Sequence, residues 1–210
     1  MSCPYYQDDW VTIYHGDCLE WLPPASLLLT DPPYGLDLDT THKKYKDGID
    51  RPAIVGDRGP FDPGHLLNYE RVILWGGNCY ASRLPDFPGW LAWVKTARNG
   101  ANIRQADMEL AWTNFVRRPQ VYRHLWIGAY KASESGQRNV HPSQKPVEVM
   151  KWCLSVDGGD GTVLDPYMGS GTTLVAAKDF NRQSIGIEIE ERYCEVAANR
   201  CSQEVLALGS

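Results

Sequence analysis

Short apolar runs of strand length recur along the first half of the chain, separated by polar and proline-containing stretches. The period and length of these runs predict strands rather than long helices. The predicted strands are Val11–His15, Ser26–Thr30, Val72–Trp75, Trp90–Val94 and Glu109–Trp112. A short helix over Cys18–Leu22 is predicted between the first two, and the polar, Asp-, Gly- and Pro-rich stretch Leu36–Leu66 predicts a long mobile loop.

The last third of the chain alternates strands and helices more regularly. A helix is predicted over Val147–Leu154, with Pro146 at its first position. The elements that follow are strand Thr162–Leu164, a glycine-rich turn, helix Thr172–Phe180, strand Ser184–Glu188 and helix Glu190–Cys201. This alternation predicts an α/β fold with a mostly parallel sheet.

Charge is distributed unevenly over the 210 residues. The net charge is −5, which by itself argues weakly against a nucleic-acid partner. Residues 95–145, however, carry nine basic and three acidic side chains, a net charge of +6 that leaves −11 for the rest. An acidic body with one basic stretch suits a protein that binds a polyanion locally.

The six cysteines are scattered, without a Cys-x-x-Cys pair or a histidine at ligand spacing. This pattern argues against a zinc site and a disulfide framework, so we expect no metal and reduced thiols. No apolar run approaches the ~20 residues of a membrane helix, and the polar, acidic residues 1–9 are unlike a signal peptide. We therefore expect a cytoplasmic protein without a membrane partner.

A glycine-rich turn, Asp165-Pro166-Tyr167-Met168-Gly169-Ser170-Gly171-Thr172-Thr173, lies between a predicted strand and helix. Its glycines allow close approach of a ligand to the backbone, and the following helix offers free N–H groups. Glu188 ends the next predicted strand, where nucleoside-binding βαβ units hold a ribose diol. The alternative is a tight helix–strand turn with a surface glutamate. A P-loop is disfavoured because Gly171-Thr172 lacks the lysine.

A second motif, Asp31-Pro32-Pro33-Tyr34, directly follows the predicted strand that ends at Thr30. The prolines fix the backbone, so the Asp31 carboxylate and the Pro32 carbonyl can be adjacent acceptors beside an aromatic ring. This arrangement suits a planar ring that carries an exocyclic NH₂ group. A proline-rich turn with an N-capping aspartate is the alternative.

In chain order, the motif Asp31-Pro32-Pro33-Tyr34, the segment His141-Pro142-Ser143-Gln144-Lys145-Pro146 and the glycine-rich turn that begins at Asp165 resemble the permuted (β) group of S-adenosylmethionine-dependent DNA amino-methyltransferases. Gly16-Asp17-Cys18 and Trp75-Gly76-Gly77-Asn78 also match, and the resemblance extends from about Ile13 to Asn199. It implies a Rossmann-like fold with helices on both faces of the sheet and a circularly permuted motif order. It also implies S-adenosylmethionine as cofactor and DNA as partner.

The resemblance assigns roles to individual residues. It implies catalysis by Asp31, Pro32, Pro33 and Tyr34, with the first two accepting hydrogen bonds from the amine of a flipped base and Tyr34 stacking on it. It places Glu188 at the cofactor ribose, Asp17 near the adenine amine and Lys145 near the cofactor carboxylate. Lys145 as a phosphate contact or a solvated charge is the alternative. The complete implied cofactor-binding set is Asp17, Cys18, Asp31, His141, Ser143, Lys145, Asp165, Pro166, Tyr167, Gly169, Ser170, Gly171, Thr172, Thr173 and Glu188.

DNA contacts are expected from Arg117, Arg118 and Arg123, whose alternative is a solvated face. We expect one methyltransferase domain over residues 1–210, with a mobile loop at 36–66. Residues 113–140 form a short basic segment in place of a full target-recognition domain, which predicts short or relaxed sequence specificity. A second subunit could assist, so a homodimer is an open hypothesis.

Asp at position 31 favours adenine N6 as the methyl acceptor within this family. Cytosine N4 is the first alternative, because enzymes acting there more often carry Ser at that position. A structured-RNA methyltransferase and a non-catalytic module that binds the cofactor or DNA are the others. The intact Asp31 and Tyr34 argue against a non-catalytic module.

Overall fold

The structure is a computed structural model that describes residues 3–36, 55–96, 106–127, 130–134 and 144–203. The strands are β1 (Tyr6–Gln7), β2 (Val11–His15), β3 (Leu27–Thr30), β4 (Val72–Trp75), β5 (Trp90–Val94), β6 (Met108–Thr113), β7 (Gln120–Arg123), β8 (Trp126–Ile127), β9 (Tyr130–Lys131), β10 (Val163–Asp165) and β11 (Ser184–Glu188). The helices are α1 (Val147–Asp157), α2 (Thr172–Asp179) and α3 (Glu191–Ser202), and short 3₁₀ turns span Gly64–Leu66, Gly77–Cys79 and Ala81–Arg83.

Nine strands form one sheet in the order β1-β2-β11-β10-β3-β4-β6-β5-β7. The five neighbouring strands β2, β11, β10, β3 and β4 are mutually parallel, whereas β1 and β6 are antiparallel to their neighbours. Because β5 is antiparallel to β6 and β7 is parallel to β5, both point the same way as the central strands. The sheet is therefore mixed but mostly parallel, and the predicted Rossmann-like α/β fold is confirmed.

The described helices all cover one face of this sheet. Helices α1 and α2 pack on Leu27, Leu29, Ile73 and Val163, and α3 packs beside α2 on β2. The opposite face, formed by Leu28, Val72, Leu74 and Leu164, is covered by loop and 3₁₀-turn residues that include Phe61, Leu66 and Tyr80.

The expectation of helices on both faces is therefore not met within the described ranges. The second face is covered by the connection between β3 and β4, whose prolines and glycines disfavour a helix. In this connection residues 55–66 pack against the core through Phe61 and Leu66. Residues 37–54 lie outside the described residues.

The predicted helix over Cys18–Leu22 is a turn in the structure. The Leu19 N–H donates to Asp17 Oδ1 at 2.9 Å, and the Glu20 N–H donates to the Asp17 carbonyl at 3.1 Å. Pro23 and Pro24 follow and stop a helix from continuing, since proline has no N–H to donate. The prediction was wrong because it gave the prolines too little weight.

Candidate active site

The candidate site is built where the central parallel strands end. The carboxyl ends of β2, β3, β10 and β11 lie at the same edge of the sheet, because these strands are parallel neighbours. Asp31 follows β3, Asp17 follows β2 by two residues, and Asp165 and Glu188 are the last residues of β10 and β11. The topology thus brings four predicted acidic residues to one edge, although they are up to 171 positions apart in sequence.

The Asp31 carboxylate is held by two neighbouring side chains. The Tyr34 hydroxyl donates to Asp31 Oδ1 at 2.6 Å, and Lys145 Nζ lies 2.6 Å from Asp31 Oδ2. Lys145 Nζ also donates to the Tyr34 hydroxyl oxygen at 3.0 Å. These contacts hold the Asp31 side chain in one orientation. Because the side chain is still 15% exposed, a ligand can reach it.

Two charged residues that the motifs do not include extend this cluster. Glu109 on β6 accepts from Lys145 Nζ at Oε2, at 3.0 Å, and from Lys95 Nζ at Oε1, at 2.7 Å. We call Lys95, Glu109, Lys145 and Asp31 the charged row. Sequence reasoning missed Lys95 and Glu109 as site residues; the available signal was one acidic residue inside the otherwise uncharged strand β6.

Burial and charge compete within the charged row. Burial raises the pKa of Asp31 above its ordinary value; Lys145 opposes this rise and the charge of Glu109 adds to it. Burial alone would lower the pKa of Lys145, but the carboxylates of Asp31 and Glu109 outweigh it and raise that pKa. Burial opposes ionisation of Glu109, yet Lys145 and Lys95 lower its pKa to about 2. Lys145 and Glu109 are therefore charged at neutral pH.

The Tyr34 ring packs on the backbone of Gly76. Gly76 has a left-handed conformation (φ 73°), and a Cβ atom added there would overlap the Tyr34 ring. A residue with a side chain at position 76 is therefore strongly disfavoured on both conformational and steric grounds. Gly76, which directly follows strand β4, thus limits where the ring of Tyr34 can lie.

The glycine-rich turn is fixed from both of its ends. The Thr30 hydroxyl donates to Asp165 Oδ1 at 2.6 Å, and the Tyr167 N–H donates to the same oxygen at 3.2 Å. Burial raises the pKa of Asp165 to about 6, and the donated hydrogen bonds only partly offset that rise. Gly171 (φ 76°) packs on Ala197 of α3 so closely that a Cβ would meet the Ala197 Cβ at 2.8 Å.

Arg200 of α3 supports the same turn, and sequence reasoning missed it. Its Nη1 donates to the Ser170 carbonyl at 2.7 Å, to the Ser170 hydroxyl at 3.0 Å and to the Thr172 hydroxyl at 3.2 Å. Arg200 thereby ties the turn to the helix that packs on it. The pKa of Arg200 is lowered by burial.

Glu188 has both carboxylate oxygens bonded to the backbone. Oε2 accepts from the Gly169 N–H at 3.0 Å, and Oε1 accepts from the Glu190 N–H at 2.8 Å. Burial nevertheless raises the pKa of Glu188. A carboxylate has about four acceptor positions, so two remain for hydroxyl donors of a ligand.

A cavity of about 560 Å³ joins the two motifs. Its lining includes all four residues of the Asp31-Pro32-Pro33-Tyr34 motif. It also includes the predicted cofactor residues Asp17, Cys18, Pro166, Tyr167, Gly169 and Glu188. The volume is within the ~300–1,000 Å³ of pockets for small ligands, and the polar groups are acceptors suited to a diol and an amine. These residues fit a nucleoside-type cofactor such as S-adenosylmethionine.

A smaller cavity of about 40 Å³ adjoins it, lined by Lys145, Asp165, Ser170, Thr172 and Thr173 among others. Asp31, Tyr167 and Gly169 line both cavities. Gly171 lines neither of the two and acts in packing instead. His141 and Ser143 lie outside the described residues.

The three predicted DNA-contact arginines are exposed but are not together. Arg123 ends β7, and because β7 points the same way as the central strands, Arg123 lies at the edge of the sheet that carries the site. Arg117 and Arg118 precede β7 and lie towards the opposite edge.

All six cysteines, each in the described part of the chain, are free. Among the described residues, no group of three or more His, Cys, Asp or Glu side chains could hold a metal ion, and no helix there is long and apolar enough to cross a membrane.

A mostly parallel α/β sheet, with Glu188 at the end of β11 and an Asp-Pro-Pro-Tyr motif lining the same cavity, is the architecture of a Rossmann-like methyltransferase. The DNA methylase family, which comprises N6 and N4 enzymes, matches residues 90–199, a little over half of the chain. The chain belongs to this family. The predicted class and its cofactor, S-adenosylmethionine, are thereby confirmed.

Individual relatives agree with this assignment. The type II methyltransferase M.ScaI of Streptomyces caespitosus is 24% identical over 269 positions, covering 99% of this chain and 86% of that protein. M2.DpnII of Streptococcus pneumoniae is 34% identical over 83 residues, 39% of this chain and 31% of that protein.

Solved structures share the fold. The M1.HpyAVI complex with S-adenosylmethionine has a TM-score of 0.57 at 21% identity, covering 92% of this chain and all of that one. The cytosine-N4-specific PvuII DNA methyltransferase has a TM-score of 0.62 at 17% identity, covering 97% and 90%.

Proposed function

We propose that this DNA methyltransferase transfers a methyl group from S-adenosylmethionine to the N6 amine of an adenine flipped out of DNA. One observation carries the proposal: the Asp31 carboxylate and the candidate ribose ligand Glu188 line the same cavity of about 560 Å³. An acceptor for an amine and a site for a nucleoside cofactor are thus close enough to act on one another.

The exocyclic amine of adenine is a poor nucleophile because its lone pair is delocalised into the ring. The Asp31 carboxylate and the Pro32 carbonyl accept hydrogen bonds from the two N–H groups of this amine. These hydrogen bonds localise the lone pair on the nitrogen and orient it. Tyr34 and Lys145 occupy only two of the roughly four acceptor positions of the carboxylate, so an amine can bind without displacing them.

S-adenosylmethionine, when bound, supplies a methyl group on a positively charged sulfur, which leaves as a neutral thioether. The adenine nitrogen would form a bond to this methyl group as the bond from the methyl group to sulfur breaks, and the nitrogen would then lose one proton to water. Asp31 stabilises the positive charge that develops on nitrogen before the proton leaves. No covalent intermediate with the protein is required.

The cofactor is assigned to the side of the cavity formed by the glycine-rich turn. Glu188 accepts from the ribose hydroxyls and Asp17 from the adenine amine in this proposal. Lys145 was predicted to bind the cofactor carboxylate, but its three N–H donors already reach Asp31, Glu109 and the Tyr34 hydroxyl. A cofactor carboxylate would have to displace one of them, so we assign Lys145 chiefly to orienting Asp31.

DNA is proposed to approach the edge of the sheet that carries Asp31 and Arg123. Extrusion of the base costs a few kcal/mol, and stacking on the Tyr34 ring recovers about 1–3 kcal/mol of it. Within one domain over residues 1–210, the proposed DNA-contact segment is residues 113–140, with Arg123 as its contact and with Arg117 and Arg118 turned away from the site. Because this segment is short, the proposal includes short or relaxed sequence specificity.

The test is methyl transfer from labelled S-adenosylmethionine to unmethylated DNA, followed by nucleoside analysis. N6-methyladenine is expected, and Asp31→Ala should abolish transfer while cofactor binding is retained. The control is Asp160→Asn, an exposed residue at the opposite edge, which should leave the rate unchanged. N4-methylcytosine would replace adenine as the acceptor and keep the mechanism. Full activity of Asp31→Ala would refute the mechanism.

A further inference from the structure

The charged row connects Lys95 and Glu109, which are 17% and 24% exposed, through Lys145 to the candidate catalytic carboxylate of Asp31. Its side chains alternate in sign: Lys95 Nζ to Glu109 Oε1 is 2.7 Å, Glu109 Oε2 to Lys145 Nζ is 3.0 Å, and Lys145 Nζ to Asp31 Oδ2 is 2.6 Å. Lys145 is only 4% exposed, whereas Lys95 is 17% exposed. A buried ammonium of this kind is stable only when it is paired.

Neighbouring strands fix the outer half of the row. Glu109 lies on β6 in register with Trp93 of β5. Lys95 directly follows β5, and its N–H donates to the Asp107 carbonyl at 2.9 Å, which continues the ladder between these strands. The positions of Lys95 and Glu109 are therefore set by the sheet, independently of the Asp31 motif and of the cofactor turn.

We propose that Glu109 and Lys95 are positioning residues for methyl transfer. Glu109 holds Lys145 in place and competes with Asp31 for the positive charge of Lys145. Lys95 limits how strongly Glu109 draws Lys145 away from Asp31. This inference rests on the proposed function of Asp31. Neither residue touches the base. They act by setting how strongly the Asp31 carboxylate accepts the hydrogen bond and charge of the amine.

Within the described ranges, the charged and titratable groups that influence Asp31 or its partner Lys145 come from several separate elements. They are Tyr34, Tyr80, Glu109, Lys145 and Asp165, with Cys153 of α1 close to Lys145. Glu109 and Lys145 act on Asp31 with opposite signs. Substitutions at the two outer positions of the row should therefore shift the titration of Asp31 in opposite directions.

Glu109→Gln removes a negative charge and leaves Lys145 to pair with Asp31 alone. Both effects make Asp31 a weaker acceptor, so we expect the acid limb of the methyl-transfer rate to move to lower pH and the rate at neutral pH to fall about tenfold. Lys95→Met leaves Glu109 with Lys145 as its remaining ion-pair partner. Lys145 is then drawn from Asp31, and the acid limb should move to higher pH.

The experiment measures single-turnover methyl transfer against pH, together with the pH dependence of the Asp31 side-chain ¹³C resonance in the protein without cofactor or DNA. Lys95→Arg keeps the positive charge at this position, so its pH profile should match that of the wild-type protein. The matched control is Glu148→Gln, which breaks the Lys151–Glu148 pair on the surface of α1 and should shift neither quantity. Cofactor affinity and thermal unfolding of each variant report whether the site is still folded.

Opposite shifts for Glu109→Gln and Lys95→Met would support the inference. A shift to higher pH in Glu109→Gln would mean that Lys145 has merely come loose, and it would overturn the inference, as would unchanged profiles in both variants. If Asp31→Ala kept full activity, the proposed function would fail instead, whereas an inactive Asp31→Ala beside a wild-type Glu109→Gln would refute only the inference.

Discussion

Gly76→Ala tests whether the site depends on the close packing of Tyr34 on the backbone. Alanine in a left-handed conformation costs about 1–2 kcal/mol, and the new Cβ overlaps the Tyr34 ring. Moving the ring costs about 1–3 kcal/mol for overpacking, and it breaks the 2.6 Å hydrogen bond to Asp31. We expect a loss of about 3–5 kcal/mol in the free energy of unfolding, together with a large loss of methyl transfer.

Gly158→Ala is the matched control. Gly158 has nearly the same backbone conformation (φ 66°, ψ 5°) as Gly76 (φ 73°, ψ 10°). A Cβ at Gly158 would meet only the Ser155 carbonyl oxygen, at 3.9 Å. The control should therefore lose about 1–2 kcal/mol and keep its activity. Urea unfolding and methyl transfer are measured for both variants. Equal destabilisation of the two, with activity preserved in Gly76→Ala, would refute the argument.

Three further predictions concern DNA, the cofactor turn and pH. Arg123→Ala should weaken DNA binding and reduce the slope of log K against log salt by about one, whereas Arg118→Ala should change neither; equal effects in a salt titration would contradict the assigned edges. Arg200→Ala should cost about 2 kcal/mol in unfolding free energy and weaken cofactor binding measured by calorimetry; unchanged affinity would show that the turn holds without it. Because the pKa of Asp165 is raised to about 6 in the folded state, this group lowers stability as pH rises from about 4 to 6. Asp165→Asn should remove that decline in urea unfolding, and an unaltered slope would contradict the raised pKa.

The sequence predicted the buried strands well because apolar residues are continuous in β4 and β5 and alternate with other residues in β2 and β11. The bounds of β2, β4, β5 and β11 agree with the predictions, since these segments are buried on at least one face. Strand β7 was missed because it is the outermost strand on one side of the sheet. Its residues Gln120, Val121 and Arg123 are exposed and carry no apolar pattern. Its existence depends on pairing with β5, which no local pattern encodes.

The site was predictable to the extent that its residues occur in contiguous motifs. Asp31 and Tyr34 are three positions apart and their hydrogen bond is local, so a short motif specifies it. Glu109 and Lys145 are 36 positions apart, and their contact depends on how β6 and the segment before α1 come together. Pairs of this kind require the tertiary structure, because an isolated Glu in a strand is compatible with an ordinary exposed position.

The sheet order explains why motifs at opposite ends of the chain form one site. From β3 the chain proceeds to β4 on one side, and from β10 it proceeds through α2 to β11 on the other, while β3 and β10 are direct neighbours. The two connections leave this pair on opposite faces: α2 covers one face, and the β3–β4 connection with Phe61 and Leu66 covers the other. A crevice opens between such diverging connections, at the carboxyl ends of the two strands. Asp31 and the glycine-rich turn flank that crevice, so the proximity of amine acceptor and cofactor turn follows from the pairing of β3 with β10, whatever their order along the chain.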